Sequence, residues 1–295
     1  MNDDVLRTIP APPAGVPLPL SLADLTTEEL AIVLSAGGAV ALLPVGSTEP
    51  HGPHLPLSTD ALLSEEACRR AAGALRAQGR PALVAPSIPY GVTRYARDFR
   101  GAVGVSPATL TALVSDVVRA LLDDGFVHVV LVNNHLEPEH VHALEGAVGL
   151  VSGERGPECI SFANQLGKRW GRTLTDEFKR GDCHAGRYET SLVLAANPAL
   201  VRGELAQQLP AVSISLSREI KLAGGRDVRF AAIGMNRAYT GAPAEATRDE
   251  GDATYQKLVT MIVTEVTEHL EEGEGTQPGD IPKSARAAHA GEPKS

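Results

Sequence analysis

Residues 42–60 read "LLPVGSTEPHGPHLPLSTD", and this stretch decides how the rest of the chain is read. An apolar run closes on Gly46, and Glu49, His51, His54 and Asp60 follow in quick succession. "AVALLPVG" at 39–46 has the unbroken apolar character of a short strand buried on both faces. The polar groups therefore arrive where a strand turns into a loop stiffened by proline and glycine. From Asp60 onward, "ALLSEEACRRAAGALRAQG" carries apolar residues three and four apart, the spacing of a helix with one buried stripe.

Outward from that stretch, strands and helices alternate. Upstream, Thr26 and Glu29 form a capping-box pattern that opens a helix in "TEELAIVLSAGG". Downstream, "PALVAPSIPYG" (81–91) reads as a second strand. "SPATLTALVSDVVRALLDDG" (106–125) reads as a helix with Ser106 at the N-cap and Pro107 at its first position. The β-branched "FVHVVLVNNH" (126–135) is a third strand, "EPEHVHALEGAVGLVSG" begins another helix, and "ECISFAN" (158–164) is a fourth strand. A helix is expected from Glu189 to Ala196, short strands and loops over 211–240, and a long closing helix over 246–272. Such alternation predicts an α/β fold of βαβ units, with a mainly parallel sheet covered on both faces. One domain is expected over 21–272. Residues 1–20 form a proline-rich extended arm, and 273–295 have the composition of disorder.

The chain has 295 residues and a formal net charge of −9, with no basic block. That balance argues against nucleic acid or an anionic membrane as a partner. Three cysteines, Cys68, Cys159 and Cys183, are too scattered for a disulfide framework or a thiolate zinc site. No apolar run approaches the length of a membrane span, and the acidic, proline-rich start lacks a signal-peptide pattern, so a cytoplasmic location is expected.

In a parallel α/β sheet, ligands gather at the carboxyl ends of the strands. Positions i and i+2 of an extended chain point to one side. Glu49 and His51 can thus face one cleft, and so can His135 and Glu137 at the end of the third strand; Asp60 adds a carboxylate at the start of the following helix. Each group alone reads as an ordinary hydrogen-bonded loop residue. Together, imidazoles and carboxylates without a thiolate cluster suit two divalent ions, zinc, manganese or iron, with an aspartate able to bridge them. Such a pair supports hydrolysis without a covalent intermediate. His54 reads as a support for the ligands, a substrate contact or a plain loop residue, His128 as a core histidine, and His140 and His142 as surface residues or supports. In "GDCHAGRYETS" (181–191), His184 occupies a small-residue turn from which it could protonate a leaving nitrogen, and Glu189 could orient a ligand or touch substrate. Cys183 invites a nucleophile reading, but nothing marks a base for the thiol.

The segments "PVGSTEPHGPHLPLSTD", "NNHLEPE", "HAGRYETS" and "GAPAEATRDEG" together resemble the creatininase family. The likeness spans about residues 26–270. It implies a Rossmann-like three-layer α/β/α sandwich, often a hexamer, with two divalent metal ions per subunit (Zn2+ and/or Mn2+, or Fe2+) and cleavage of amide-type C–N bonds. By motif, Glu49 and His135 would hold one ion and His51 and Glu137 the other, with Asp60 bridging; His184 and Glu137 would serve the chemistry. His54, Tyr90, Thr93, Leu136, Cys183 and Glu189 are candidate substrate contacts. The chain departs from the pattern. Pro50 replaces a common Gln, and Leu136 an aromatic residue. Arg180 and Gly181 stand where creatininase has a tryptophan and an aspartate that hold creatinine. "YGVTRYARDFRGA" differs from the family motif at Thr93, Ala96 and Arg100, and Arg94, Arg97 and Arg100 could form an anion-binding rim or a solvated face. The expectation is hydrolysis of a small non-peptide amide, lactam or formamide other than creatinine, by a homo-oligomer acting on a small-molecule substrate. The alternatives are trimming of a precursor peptide of the mycofactocin type, phosphoester hydrolysis, and a non-catalytic metal-binding relative.

Overall fold

Alternation of the buried side chains along the strands builds the layers. The structure, a computed structural model, describes residues 18–224 and 228–275, and side chains as far as residue 271. In β1 (Val40–Val45), Val40 and Leu42 enter one core while Ala41, Leu43 and Val45 enter another. In β3 (His128–Asn133), Val130 and Val132 match the first set and Val129 and Leu131 the second. Both strands are buried along their whole length, which is why they read as continuous apolar runs. With β2 (Ala82–Val84) and β4 (Ile160–Ala163) they form a parallel sheet in the order β2-β1-β3-β4. Val45 lies in register with Asn133, so β1 and β3 end side by side.

On one face of the sheet lies α1 (Thr27–Ser35), with α3 (Pro107–Asp124) and α4 (Pro138–Arg155). On the other lie α2 (Thr59–Ala77), α7 (Arg187–Ala196) and α10 (Arg248–Gly275). Smaller helices, α5 (Lys168–Gly171), α6 (Asp176–Arg180), α8 (Gly203–Gln207) and α9 (Leu216–Ala223), occupy the connections. The α/β/α sandwich and the parallel sheet agree with the expectation from sequence. The capping box forms, with Thr26 Oγ1 accepting from Glu29 N–H and the Glu29 carboxylate accepting from Thr26 N–H. Ser106 caps α3 ahead of Pro107.

Two elements differ. The second strand stops at Val84 instead of running to residue 91, because Pro86 and Pro89 carry no N–H for a ladder. The chain continues beside β1 through single bonds, Ala85 N–H to Leu42 O at 2.9 Å and Ile88 N–H to Pro44 O at 3.0 Å. Within 211–240, expected as strands and loops, Ser215 caps α9, a two-turn helix whose apolar residues Leu216 and Ile220 share one side. The arm at 1–20 falls outside the described residues up to position 17. Leu18 and Pro19 accept hydrogen bonds from the Arg76 guanidinium, each at 2.7 Å. The tail expected at 273–295 lies outside the described residues apart from the backbone to 275. Among the described residues, no helix is long and apolar enough to cross a membrane.

Candidate metal centre

In the order β2-β1-β3-β4 the chain leaves β1 in one direction and later passes to β3 in the other, so a crevice opens between the carboxyl ends of these two strands. Three segments meet there: the loop after β1, the turn after β3, and the turn before α7. At Gly46 a Cβ would lie 2.6 Å from the Ala61 backbone nitrogen. Only glycine allows the end of β1 to approach the first turn of α2 so closely, and this brings Asp60 over the strand ends. Asn133 clamps the turn after β3. Its Nδ2 donates to His135 O at 2.6 Å and its Oδ1 accepts from His135 N–H at 3.1 Å.

Each of two histidines spends one ring N–H on a backbone carbonyl. His51 Nδ1 donates to Glu49 O at 3.0 Å, and His135 Nε2 donates to Val92 O at 2.7 Å. The opposite nitrogens converge on one carboxylate: His51 Nε2 is 3.0 Å from Asp60 Oδ1, and His135 Nδ1 is 3.0 Å from Asp60 Oδ2. Each has a further carboxylate beside it. Glu189 Oε2 lies 3.5 Å from His51 Nε2, and Glu49 Oε1 lies 3.3 Å from His135 Nδ1. All five groups are buried. His51 Nε2 and Asp60 Oδ2 have no hydrogen-bond partner outside the ion pairs of this cluster. In the metal-free protein, burial works to lower the His51 pKa, but Asp60, Glu189 and Glu49 outweigh it and raise it to about 10. Burial would raise Asp60, yet the two imidazoles hold it well below the usual carboxylate range. Protons thus stand where divalent ions would fit. Two imidazole nitrogens and three carboxylates thus gather around Asp60, a donor set suited to divalent transition metals.

The pairing differs from the one the motifs suggest. Glu189 faces His51, while Glu137 groups with Glu49 and His135. Glu137 is drawn aside by the backbone: its carboxylate accepts from Arg94 N–H at 2.9 Å and Tyr95 N–H at 3.2 Å. Burial, opposed by His135 and these N–H groups, raises its pKa to about 7. Glu189 accepts from Ala185 N–H at 2.6 Å, in a turn where Ala185 takes a left-handed φ of 50°. Burial raises its pKa to about 8 against the pull of His51.

His184 sits over the same centre. Its Nε2 donates to Pro50 O at 3.0 Å, which leaves Nδ1 as an acceptor, 3.9 Å from Glu49 Oε1. Its ring lies 4.5 Å from that of His51 and 4.7 Å from that of Phe230. Burial and the charge on His51 lower its pKa to about 4, so it is neutral at neutral pH.

A cavity of about 300 Å³ opens over these groups and is lined by Glu49, Asp60, His135, Glu137, His184 and Glu189 on the polar side. Leu136 and Cys183 line it too. His54, Tyr90 and Thr93 do not. His54 is buried behind the loop against the Thr190 hydroxyl at 2.8 Å, Tyr90 is 49% exposed on the surface, and the Thr93 hydroxyl donates to the Glu49 carboxylate. The Cys183 thiol is buried and its pKa is raised well above normal by burial, with Glu189 adding to it, which disfavours the thiolate a nucleophile needs. Arg94, Arg97 and Arg100 do not line the cavity, and the Arg94 guanidinium pairs with Glu139 at 2.6 Å. His128 is a core histidine, and His142 is exposed. His140 is buried behind His135, linked to Asn133 Oδ1 at 3.0 Å.

Several contributors were not read from the sequence. Glu177, buried in α6, accepts from Tyr188 N–H at 2.8 Å and Ala242 N–H at 2.9 Å and so fixes the start of α7 that carries Glu189. Asp176, Lys179 and Arg180 stand close to it in sequence, and nothing in the local pattern separates it from a surface acid. Phe230, Leu216 and Ile220 form part of the cavity wall from a segment with no clear period.

A family model for creatinine amidohydrolase, the creatininase family, matches residues 23–266. The mycofactocin precursor peptide peptidase of Mycobacterium tuberculosis is 31% identical over 79% of this chain and 87% of that protein. The creatinine amidohydrolase of Pseudomonas putida is 31% identical over 60% of this chain and 72% of its own length. A crystal structure of creatinine amidohydrolase superposes with a TM-score of 0.68 at 25% identity, covering 84% of this chain and 97% of that one. A manganese creatininase gives 0.67 at 25% identity over 84% of this chain and 98% of its own. With its sheet, its crevice of histidines and carboxylates and these likenesses together, the chain belongs to the creatininase family of amidohydrolases.

Proposed function

We propose that this amidohydrolase cleaves a non-peptide amide-type C–N bond at a dinuclear metal centre. Glu49, His135 and Asp60 Oδ2 would hold one ion, and His51, Glu189 and Asp60 Oδ1 the other. The observation that carries the reading is the shared carboxylate. Two imidazoles, each with its other nitrogen committed to a backbone carbonyl, face opposite oxygens of Asp60 at 3.0 Å. When bound, two divalent ions would polarise the substrate carbonyl and activate water.

The chain's own groups handle the proton. Glu137, with a pKa near neutrality and its carboxylate fixed by two backbone N–H groups, accepts a proton as the C–O bond forms. That proton ends on the nitrogen as the C–N bond breaks. His184 Nδ1, an open acceptor on the same cavity wall, carries it there. Arg180 and Gly181 supply no aromatic clamp of the kind expected for creatinine, so a different amide is the substrate.

Metal-stripped and metal-restored protein, assayed against formamides, lactams, hydantoins and short peptides, tests this. Turnover of a small amide that disappears with chelator and returns with manganese or zinc is expected; undiminished turnover in stripped protein would refute it. A second reading, cleavage of a short precursor peptide, is supported by the similarity to the mycobacterial peptidase. Turnover of peptides but of no small amide would select it.

A further inference from the structure

The cavity has a second wall that the proton-handling groups do not use. Leu136, Leu166, Phe178, Leu216, Ile220 and Phe230 line it, and no Lys or Arg does among the described residues. Part of this wall is built in advance. Phe230 is 3% exposed, held in a cluster with Ala96, Met235 and Ala238, and its ring faces that of His184 at 4.7 Å. Leu166, by contrast, is 47% exposed, so the wall reaches solvent on that side. Leu216 and Ile220, one turn apart on α9, continue the same face.

Charge points the same way. Glu49, Asp60, Glu137 and Glu189 all face the cavity. No lysine or arginine lines the cavity beside them among the described residues, so the protein offers an anionic substrate group no side-chain cation. Among the described residues, the Arg94 guanidinium pairs with Glu139 at 2.6 Å and that of Arg180 lies 3.4 Å from Asp182. A carboxylate laid against the apolar wall would be desolvated with no Lys or Arg among the described residues to pair with it.

Resting on the amide-hydrolase reading above, we infer that the substrate is an uncharged amide with an aryl or branched alkyl group beside the scissile bond and no carboxylate adjacent to it. The apolar group would lie against Phe230, Leu216 and Ile220 while the carbonyl reaches the carboxylate-histidine centre.

Manganese-loaded full-length protein should be assayed with phenylacetamide and isovaleramide against succinamic acid, and with N-acetyl-Ala-Phe amide against the same peptide as its free acid. The neutral member of each comparison should have a kcat/KM about a hundredfold higher or more, the range by which pocket contacts separate substrates. Binding supplies a readout that needs no turnover: phenylacetohydroxamate should bind at least about tenfold more tightly than the monohydroxamate of succinic acid. Ile220→Arg should narrow or reverse both preferences by supplying the missing cation. Equal or better turnover and binding of the carboxylated compounds would overturn the inference and leave the amidohydrolase reading standing. A hydroxamate preference without turnover of any amide would support the wall and refute the reaction. Hydroxamate binding without preference would refute the wall.

Discussion

In the proposed centre Asp60 is the carboxylate that both ions would share, and the other side chains divide around it. Replacing His51 or Glu189 by Ala should lower the content of one ion, and replacing Glu49 or His135 should lower that of the other. Glu137→Gln should keep both, because its carboxylate is held by Arg94 and Tyr95 N–H rather than by His51. Its turnover should nonetheless fall by about 10²–10⁴-fold, as loss of a proton acceptor does. Metal analysis beside the rate of each purified variant separates these cases, and loss of an ion in Glu137→Gln would return it to the ligands. His128 gives an independent prediction of stability. Its Nδ1 donates to Glu158 O at 2.6 Å and its Nε2 accepts from the Ser161 hydroxyl at 2.8 Å; burial first, with His269 and Arg80 adding, lowers its pKa to about 4. The unfolded chain binds the proton near 6.5, so the stability due to neutral His128 is complete above that pH and is lost as the pH falls toward about 4. Between pH 6.5 and 5 this amounts to roughly 2 kcal/mol. Urea unfolding of His128→Gln should show a correspondingly weaker pH dependence, and an unchanged slope would contradict the assignment.

The elements show where local pattern is enough and where it is not. Gly46 joins β1 to α2 through a contact of backbone on backbone, so Gly46→Ala should cost about 1–3 kcal/mol by overpacking and should weaken metal binding by moving Asp60. Ser106→Ala, which removes only the cap of α3, should cost about 1 kcal/mol and leave metal binding unchanged. Thermal melts with metal titration distinguish the two. β1, β3, α3 and the capping box of α1 were legible because burial on both faces, caps and helical period are written in neighbouring residues. β2 was read too long because its apolar residues continue past Val84 while prolines remove the donors. α9 was missed because its two turns are stabilised by the cavity wall they complete rather than by a long periodic stripe. In the site, Glu49, His51, Asp60 and His135 could be seen because two of the segments lie at strand ends. Glu189 reads from sequence as a residue that orients a ligand or touches substrate, because its approach to His51 at 3.5 Å depends on the turn before α7 and on Glu177, far apart in sequence from the β1 loop.

At the scale of the whole molecule, the sheet order sets the chemistry. β1 and β3 are adjacent in space but separated by a strand and two helices in sequence, and their carboxyl ends place a histidine from each beside Asp60. The family's fold supplies that crevice, and Leu166, Phe178, Leu216, Ile220 and Phe230 add an apolar wall to it. The most direct test is the metal content of the full-length protein and of Asp60→Ala, each loaded with manganese, desalted and measured by mass spectrometry against protein concentration. Two ions per wild-type chain, and fewer than one in Asp60→Ala with the fold intact by circular dichroism, is the predicted result. A wild-type chain that holds no ion, or an Asp60→Ala chain that keeps both, would contradict a centre built around that shared carboxylate.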